Sequence, residues 1–215
     1  MTLMFAFIVP LVAGMLLLRA RVAATGVPPR VFRPVTVALV CVVAIPSLLQ
    51  FVFPGIFYAL RRDVHLILHH GEIWRVLTSL TVQDGGAAGT IFNLFFLAWF
   101  GVLASNLLGE RATLILFFVG GLVGELAGLR WQPIGGGNSV ADLGMAGGVL
   151  ALALIHGRSV HRLLAVISVA LGIVLLVEHN IHGAALLAGV LAGVGLLWFL
   201  PDKIVGAHDL EQQRA

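Results

Sequence analysis

Long apolar runs separated by short polar connections dominate this sequence. Residues 2–18 form the first run, which stops at Arg19, and a second extends from about residue 35 to residue 53, where Pro54 and Gly55 end it. Five further runs cover residues 90–108, 112–129, 139–156, 160–178 and 182–200. Because a helix of about 20 apolar residues crosses the hydrocarbon core of a bilayer, the pattern predicts seven transmembrane helices.

The segment between the second and third runs, residues 55–88, follows a different pattern. Its apolar positions are interrupted by Arg61, Arg62, Asp63, His65, His69, His70, Glu72, Trp74 and Arg75. This mixture predicts a long loop at the membrane interface, where tryptophan and arginine side chains reach the headgroups. His65 and His69 would share a helix face, as in some metal sites, but no cysteine or carboxylate set completes one. We therefore expect interfacial histidines and no metal.

Composition supports a membrane protein. Of the 215 residues, 60% are hydrophobic and only 11% are charged, with a mean hydropathy of +1.05, far more apolar than a soluble domain requires. Short connections between the runs force antiparallel neighbours, so we expect one all-α bundle. The single cysteine, Cys41, lies in an apolar run and has no partner for an intrachain disulfide. Residues 201–215 form a polar tail.

Lysine and arginine residues are distributed unequally between the two ends of the predicted helices. Nine lie at the end that includes the C-terminal tail, and four lie at the end that includes Arg61, Arg62, Arg75 and Arg130. The positive-inside rule therefore predicts a cytoplasmic tail, an external N-terminus and an external interface loop. The expected location is a bacterial cell membrane. The formal charge of +3 reflects these loops, and no nucleic-acid partner is expected.

A serine and a histidine begin two of the predicted helices at the external end. Ser139 follows Gly137-Asn138 and precedes Gly144 and Gly147. His182 precedes a series of small residues at helical spacing: Ala185, Gly189 and Gly193. Small residues let helix backbones approach closely in a membrane. Close approach of these two helices would bring Ser139 within hydrogen-bond reach of His182, as an activated serine nucleophile requires.

These features together resemble the rhomboid family of intramembrane serine proteases. The matching pieces, in chain order, are Trp74-Arg75 in the long loop, Asn93 with Gly101 and Gly109, Gly137-Asn138-Ser139 with Gly144 and Gly147, and His182 with Gly189. The resemblance covers about residues 35–200 and implies a rhomboid-like six-helix core. Residues 1–34 would then be one additional transmembrane helix followed by a basic loop.

The resemblance also implies a function and roles for these residues. The protein would cleave transmembrane segments of other membrane proteins, with no cofactor. Ser139 would be the nucleophile and His182 the general base. Asn93 and backbone N–H groups would stabilise the oxyanion, and Trp74 and Arg75 would anchor the loop in the interface.

Several positions depart from the family pattern and leave alternatives open. Gly89 stands where the family usually has a second oxyanion-side histidine, and Gln83 replaces another histidine. Val140 replaces a glycine, and Leu143 replaces an aromatic residue. Ser105 stands where the family usually has an acidic partner of Arg75. The alternative function is therefore a catalytically inactive rhomboid-like protein that binds transmembrane helices. A transporter is a third and weaker alternative, since no repeat of broken helices pairs the two halves.

Three further ionisable residues have open roles. Asp142 either orients His182 or forms a hydrogen bond to a neighbouring helix. Glu125 is expected to pair with Arg130 or Arg75. His179 lies three residues before His182 and is the rival general base.

Overall fold

The fold is a bundle of long apolar helices with a small elaborated loop region at one end. The computed structural model of the protein describes residues 1–199, and the tail predicted for residues 201–215 lies outside the described residues. The long helices are α1 (Thr2–Thr25), α2 (Pro34–Leu49), α6 (Gly86–Leu107), α7 (Glu110–Trp131), α8 (Ser139–His156), α9 (Ser159–Val177) and α10 (Ile181–Phe199). Of the described helices, six are long and apolar enough to cross a membrane, so the chain is an all-α, multi-pass membrane protein.

The first two predicted helices differ from the structure at their ends. Helix α1 continues through Arg19 to Thr25, because arginine extends its charge to the interface while its stem stays in the apolar layer. Gly26 then ends α1 in the left-handed conformation, with φ of 67°. Helix α2 has only 16 residues and stops before Gln50, so the predicted span to residue 53 is too long. The buried Gln50 side chain donates a hydrogen bond to the backbone oxygen of Gln83 and accepts one from the backbone N–H of Gln83.

Helix α8 is the centre of the bundle and packs against α1, α6, α7, α9 and α10. The prediction that Gly147 and Gly189 lie at the contact between α8 and α10 is confirmed. A Cβ atom added to Gly147 would lie 2.6 Å from the backbone nitrogen of Val190, and one added to Gly189 would lie 2.8 Å from the carbonyl carbon of Gly144. Gly144 itself faces α7, where its added Cβ would lie 2.6 Å from Cα of Gly120. These glycines let three backbones meet around the start of α8.

Residues 55–81 fold into short elements that cannot span a membrane, whereas the last three residues of the loop predicted for 55–88 already belong to α6. They form α3 (Gly55–Leu60), strand β1 (Arg62–Asp63), α4 (Val64–His70), α5 (Arg75–Thr78) and a single 3₁₀ turn (Ser79–Thr81). Strand β1 pairs antiparallel with β2 (Ile134–Gly135), so that Arg62 lies opposite Gly135. This pairing fastens the long loop to the glycine-rich segment that leads into Ser139.

Helix α1 belongs to the same hydrophobic core as the other helices. It packs against α6, α8 and α9, and its residues Phe7, Ala13 and Leu17 are buried in the core cluster. Gly14 lies so close to α6 that an added Cβ would be 2.7 Å from the Leu103 side chain. The additional helix predicted for residues 1–34 is therefore tightly integrated into the bundle.

Candidate active site

Ser139 and His182 meet at the ends of two central helices. Ser139 is the first residue of α8, and His182 is the second residue of α10. The Ser139 Oγ atom lies 2.8 Å from Nε2 of His182, within hydrogen-bond distance. The close approach of α8 and α10 at Gly147 and Gly189 produces this distance, as the small-residue spacing predicts. His179, the rival base, packs its ring edge-on against Trp131 at 5.5 Å.

The second ring nitrogen of His182 is held by Asn180, a residue that belongs to none of the motifs described above. Asn180 Oδ1 lies 2.7 Å from His182 Nδ1 and 3.0 Å from the backbone nitrogen of His182. Because a backbone N–H can only donate, the Asn180 atom facing His182 is its acceptor oxygen. Nδ1 must therefore carry the proton, which leaves the Nε2 lone pair free to accept from the Ser139 hydroxyl.

A signal for Asn180 was present in the sequence. Asparagine is a preferred residue immediately before a helix, where its side chain accepts from the backbone N–H of the second helical residue. His182 is that second residue. An asparagine two positions before a histidine at a helix start can thus cap the helix and hold the imidazole with one oxygen.

Asn93 lies beside Ser139 in a closed ring of three buried or half-buried amides. Asn93 Nδ2 donates to Gln83 Oε1 at 2.6 Å, and Gln83 Nε2 donates to Asn138 Oδ1 at 2.7 Å. Asn138 Nδ2 completes the ring with a 3.1 Å hydrogen bond to the Asn93 carbonyl oxygen. Ser47 accepts from the same Gln83 amide at 3.0 Å. The ring fixes the Asn93 amide and leaves one of its two Nδ2 hydrogens without a partner in the ring.

Gly137 lies close to the side chains of both Asn93 and Ser139. A Cβ atom added to Gly137 would lie 3.3 Å from Asn93 Nδ2, 3.4 Å from Gln83 Oε1 and 3.7 Å from Ser139 Oγ. A small acceptor at this point would thus lie close to both the hydroxyl and the amide donor. The first backbone N–H groups of α8 lie near Ser139, and N–H groups in the first turn of a helix have no hydrogen-bond partner within that helix.

A polar cavity of about 110 Å³ opens next to the serine and histidine. Its lining includes Arg62, Asp84 and Glu125 together with Ser139 and His182. Arg62 Nη1 pairs with Glu125 Oε2 at 2.5 Å, and Ser79 Oγ donates to the same oxygen at 2.7 Å. The expectation that Glu125 pairs with Arg130 or Arg75 is therefore wrong. Strand β1 places the Arg62 guanidinium beside Gly128 of α7. Any side chain at residue 128 would collide with that guanidinium.

Asp142 does not orient His182. Both ring nitrogens of His182 already have partners, Ser139 and Asn180. Asp142 Oδ2 instead accepts from Asn138 Nδ2 at 2.7 Å, within its own helix start, not from a neighbouring helix. The Asp142 side chain is fully buried, and its Oδ1 has no hydrogen-bond partner among the described residues.

Trp74 and Arg75 lie in the long loop and do not line the cavity. Arg75 Nε pairs with Glu72 Oε2 at 2.5 Å, and Arg75 Nη1 donates to the carbonyl oxygens of Tyr58 and Arg61. Arg75 thus has an acidic partner despite Ser105, which bonds Thr36 at 3.2 Å. The Trp74 side chain is 53% exposed. Arg75 thus holds parts of the loop together, and the anchoring of Trp74 and Arg75 in the membrane interface stays a prediction.

An aromatic residue packs near the ring of His182, and it comes from α1. The ring centroid of Phe7 lies 6.2 Å from that of His182 in an edge-on arrangement. Phe7 also contacts Phe92 and Phe96 of α6, at 5.3 Å and 4.8 Å. Leu143, at the position where the resemblance expects an aromatic residue, is fully buried in the core.

No model of a known protein family matches the chain, and no curated protein matches it.

Proposed function

We propose that this protein is a rhomboid-like intramembrane serine endopeptidase that cleaves transmembrane segments of other membrane proteins. The observation that carries the proposal is the continuous hydrogen-bonded series from Ser139 Oγ through the two nitrogens of His182 to Asn180 Oδ1, with distances of 2.8 and 2.7 Å. Nucleophilic catalysis by serine requires a base within hydrogen-bond reach and a third group that orients the base.

In the proposed reaction, Ser139 Oγ attacks the carbonyl carbon of a peptide bond. His182 Nε2 takes the hydroxyl proton as the new C–O bond forms, and the electron pair of the carbonyl moves to its oxygen. His182 then gives the proton to the leaving amine as the C–N bond breaks, and water hydrolyses the resulting acyl-enzyme. Asn180 holds the imidazole in the tautomer with a proton on Nδ1 and stabilises the imidazolium through the same hydrogen bond.

The negative oxygen formed in the first step would occupy the space beside Gly137. There it would accept from the remaining hydrogen of Asn93 Nδ2 and from backbone N–H groups at the start of α8. Gln83 acts through Asn93, because its Oε1 fixes the orientation of the Asn93 amide. The Phe7 ring near His182 would limit the movement of the imidazole, a role that the resemblance gives to the aromatic residue replaced here by Leu143.

A specific observation favours the alternative, an inactive protein that binds transmembrane helices. Gly89 lies one helical turn before Asn93, and nothing lies within 4 Å of the position of its missing Cβ atom. The second oxyanion-side donor is therefore absent from that position. Loss of one such donor lowers turnover by about 100- to 1,000-fold in a serine protease.

A serine-directed probe distinguishes the two functions. The purified protein in detergent is treated with a fluorescent fluorophosphonate, with Ser139→Ala and His182→Ala as comparison variants. We expect labelling of the wild type, none of Ser139→Ala and a large loss in His182→Ala, because only an activated serine reacts quickly. Cleavage of a model transmembrane substrate is measured in parallel. Equal labelling of wild type and Ser139→Ala, or binding of the substrate helix without any labelling or cleavage, would overturn the protease proposal.

A further inference from the structure

An apolar groove of about 420 Å³ lies on the surface of the bundle between α1 and α6, far along α1 from Phe7. Its walls come from Met15, Leu18 and Val22 of α1, from Trp99 of α6 and from Pro29 in the loop that follows α1. Trp99 is 37% exposed, so the groove is open to the surroundings of the bundle. It shares no residue with the cavity beside Ser139.

A second apolar hollow adjoins the same tryptophan. It has a volume of about 220 Å³ and is lined by Val31, Ala98, Trp99 and Val102. Trp99 therefore forms a wall of both hollows. Two apolar hollows around one aromatic side chain fit a ligand with two hydrocarbon chains better than they fit a single helix, which needs one continuous face.

The loop at the end of the groove is held in place by hydrogen bonds. Asn106 Oδ1 accepts from the backbone nitrogen of Arg30 at 2.9 Å, and Asn106 Nδ2 donates to the backbone oxygen of Arg30 at 3.0 Å. Asn106 is buried in α6. These two bonds fix Pro29 and Val31 on either side of Arg30, so both hollows are pre-formed, as ligand sites usually are.

The charge at the groove is positive. Arg19 lines it and is exposed, and Arg30 follows the Pro29 wall and is also exposed. No hydrogen bond or ion pair to either guanidinium is present in the part of the chain that the structure describes. Unpaired arginines beside lipid-facing apolar surface attract the phosphate of an anionic lipid, and basic pockets between transmembrane helices bind such headgroups.

We propose that this groove is a binding site for an anionic phospholipid. The two acyl chains lie in the hollows around Trp99, and the phosphate accepts from Arg19, with Arg30 adding to the local positive potential. A zwitterionic lipid carries its own cation next to the phosphate and gains less from these arginines. This site is independent of the proposed protease function.

Lipid retention measured by native mass spectrometry tests the site. The full-length protein is released from micelles that contain either phosphatidylglycerol or phosphatidylcholine at equal concentration. We expect one or two phosphatidylglycerol molecules to remain bound, and Arg19→Gln to reduce their retention by about fivefold, the effect of one arginine near a membrane surface. Arg111→Gln is the matched control, since Arg111 is an exposed arginine at the start of α7 that does not line the groove.

Fluorescence quenching places the bound lipid. Phosphatidylglycerol with brominated acyl chains quenches a nearby tryptophan, so we expect a larger fractional quenching in the wild type than in Trp99→Phe. Three results would each overturn the proposal: equal retention of the two lipids, equal effects of Arg19→Gln and Arg111→Gln, or quenching unchanged by Trp99→Phe. Displacement of the lipid by millimolar inorganic phosphate would instead identify a simple anion site.

Discussion

At the scale of the single residue, Asn180 serves two purposes that substitution can separate. Its Oδ1 caps α10 through the backbone N–H of His182 and also holds His182 Nδ1. Serine is an equally good cap but has a shorter side chain, so Asn180→Ser keeps the cap and loses the bond to the ring. We expect turnover to fall about tenfold, the equivalent of one neutral hydrogen bond of about 1–1.5 kcal/mol, with an unchanged unfolding temperature.

Asn180→Asp is the matched variant, because a carboxylate retains an acceptor at the same position. We expect it to keep at least the wild-type turnover in a transmembrane-substrate cleavage assay. If Asn180→Ser were as active as the wild type, Asn180 would be only a helix cap.

The second residue-scale prediction concerns the space beside Gly137. In Gly137→Ala the new Cβ would lie 3.3–3.7 Å from Asn93 Nδ2, Gln83 Oε1 and Ser139 Oγ, close enough to fill the space without a severe collision. We expect turnover to fall by at least about 100-fold, because the substrate oxygen can no longer reach its donors. Because Gly137 has φ of 158°, which L residues rarely adopt, alanine there is also strained, and the unfolding temperature should fall as well. Gly26→Ala is the control for backbone strain, since Gly26 also has a positive φ, 67°, with nothing within 4 Å of the added Cβ, and it should retain activity.

At the scale of the element, the contact between α8 and α10 tests the role of small residues. A methyl group at Gly147 would collide with backbone atoms of α10, which cannot move aside as a side chain can. We expect Gly147→Ala to destabilise the protein by about 1–3 kcal/mol through overpacking. Thermal unfolding in detergent measures this, with Gly195→Ala of the same helix pair as control, since its added Cβ meets nothing within 4 Å. Equal unfolding temperatures for the two variants would contradict the prediction.

The attachment of β1 to α7 gives a second prediction at this scale. Arg62 and Glu125 have side chains that are only 2% and 1% exposed, so removing one leaves a buried charge without its partner. We expect Glu125→Ala to cost about 3–5 kcal/mol of stability, and the double variant Arg62→Met with Glu125→Leu to recover much of that loss. A double variant no more stable than Glu125→Ala would contradict this account. Activity is not the readout here, because Arg62 also lines the cavity beside Ser139.

Most helices can be predicted from the sequence, but the accuracy of their predicted ends differs from helix to helix. The run at residues 139–156 matches α8 residue for residue, because Gly-rich sequence precedes it and Gly157 follows it. Hydrophobicity continues through Phe51–Phe53 and predicts a longer α2, but the helix stops before Gln50, whose side chain pairs with Gln83. That pairing joins residues 33 positions apart, so local sequence does not reveal it.

Local sequence also does not reveal which residues of the candidate site contact each other when they are far apart in the chain. Spacing brought Ser139, His182 and Asn93 to one membrane end, because each begins or lies near the start of its helix. It did not identify Arg62 as the partner of Glu125, since β1 places that arginine through pairing with a segment more than seventy residues later. The sequence does not predict the contact of Phe7 with His182 either, because that contact depends on where α1 packs in the bundle.

At the scale of the whole molecule, the two ends of the bundle differ in chemistry. One end holds Ser139, His182, the cavity and the short elements of residues 55–81. The loop containing Arg30, with the groove formed by Arg19 and Trp99, lies toward the other. Of the eleven arginines among the described residues, seven lie toward this second end, which is predicted to be cytoplasmic; the candidate active site would then face the external side.

Cysteine labelling in intact cells tests this orientation. In a Cys41→Ala background, a single cysteine is introduced as Ile73→Cys or as Val27→Cys, at positions whose native side chains are 72% and 50% exposed. A membrane-impermeant maleimide should label Ile73→Cys in intact cells, because the loop after α4 lies at the predicted external end. Val27→Cys, in the loop after α1, should be labelled only after the membrane is permeabilised. The reverse pattern would place Ser139 at the cytoplasmic face, so that any substrate would have to be cut from that side.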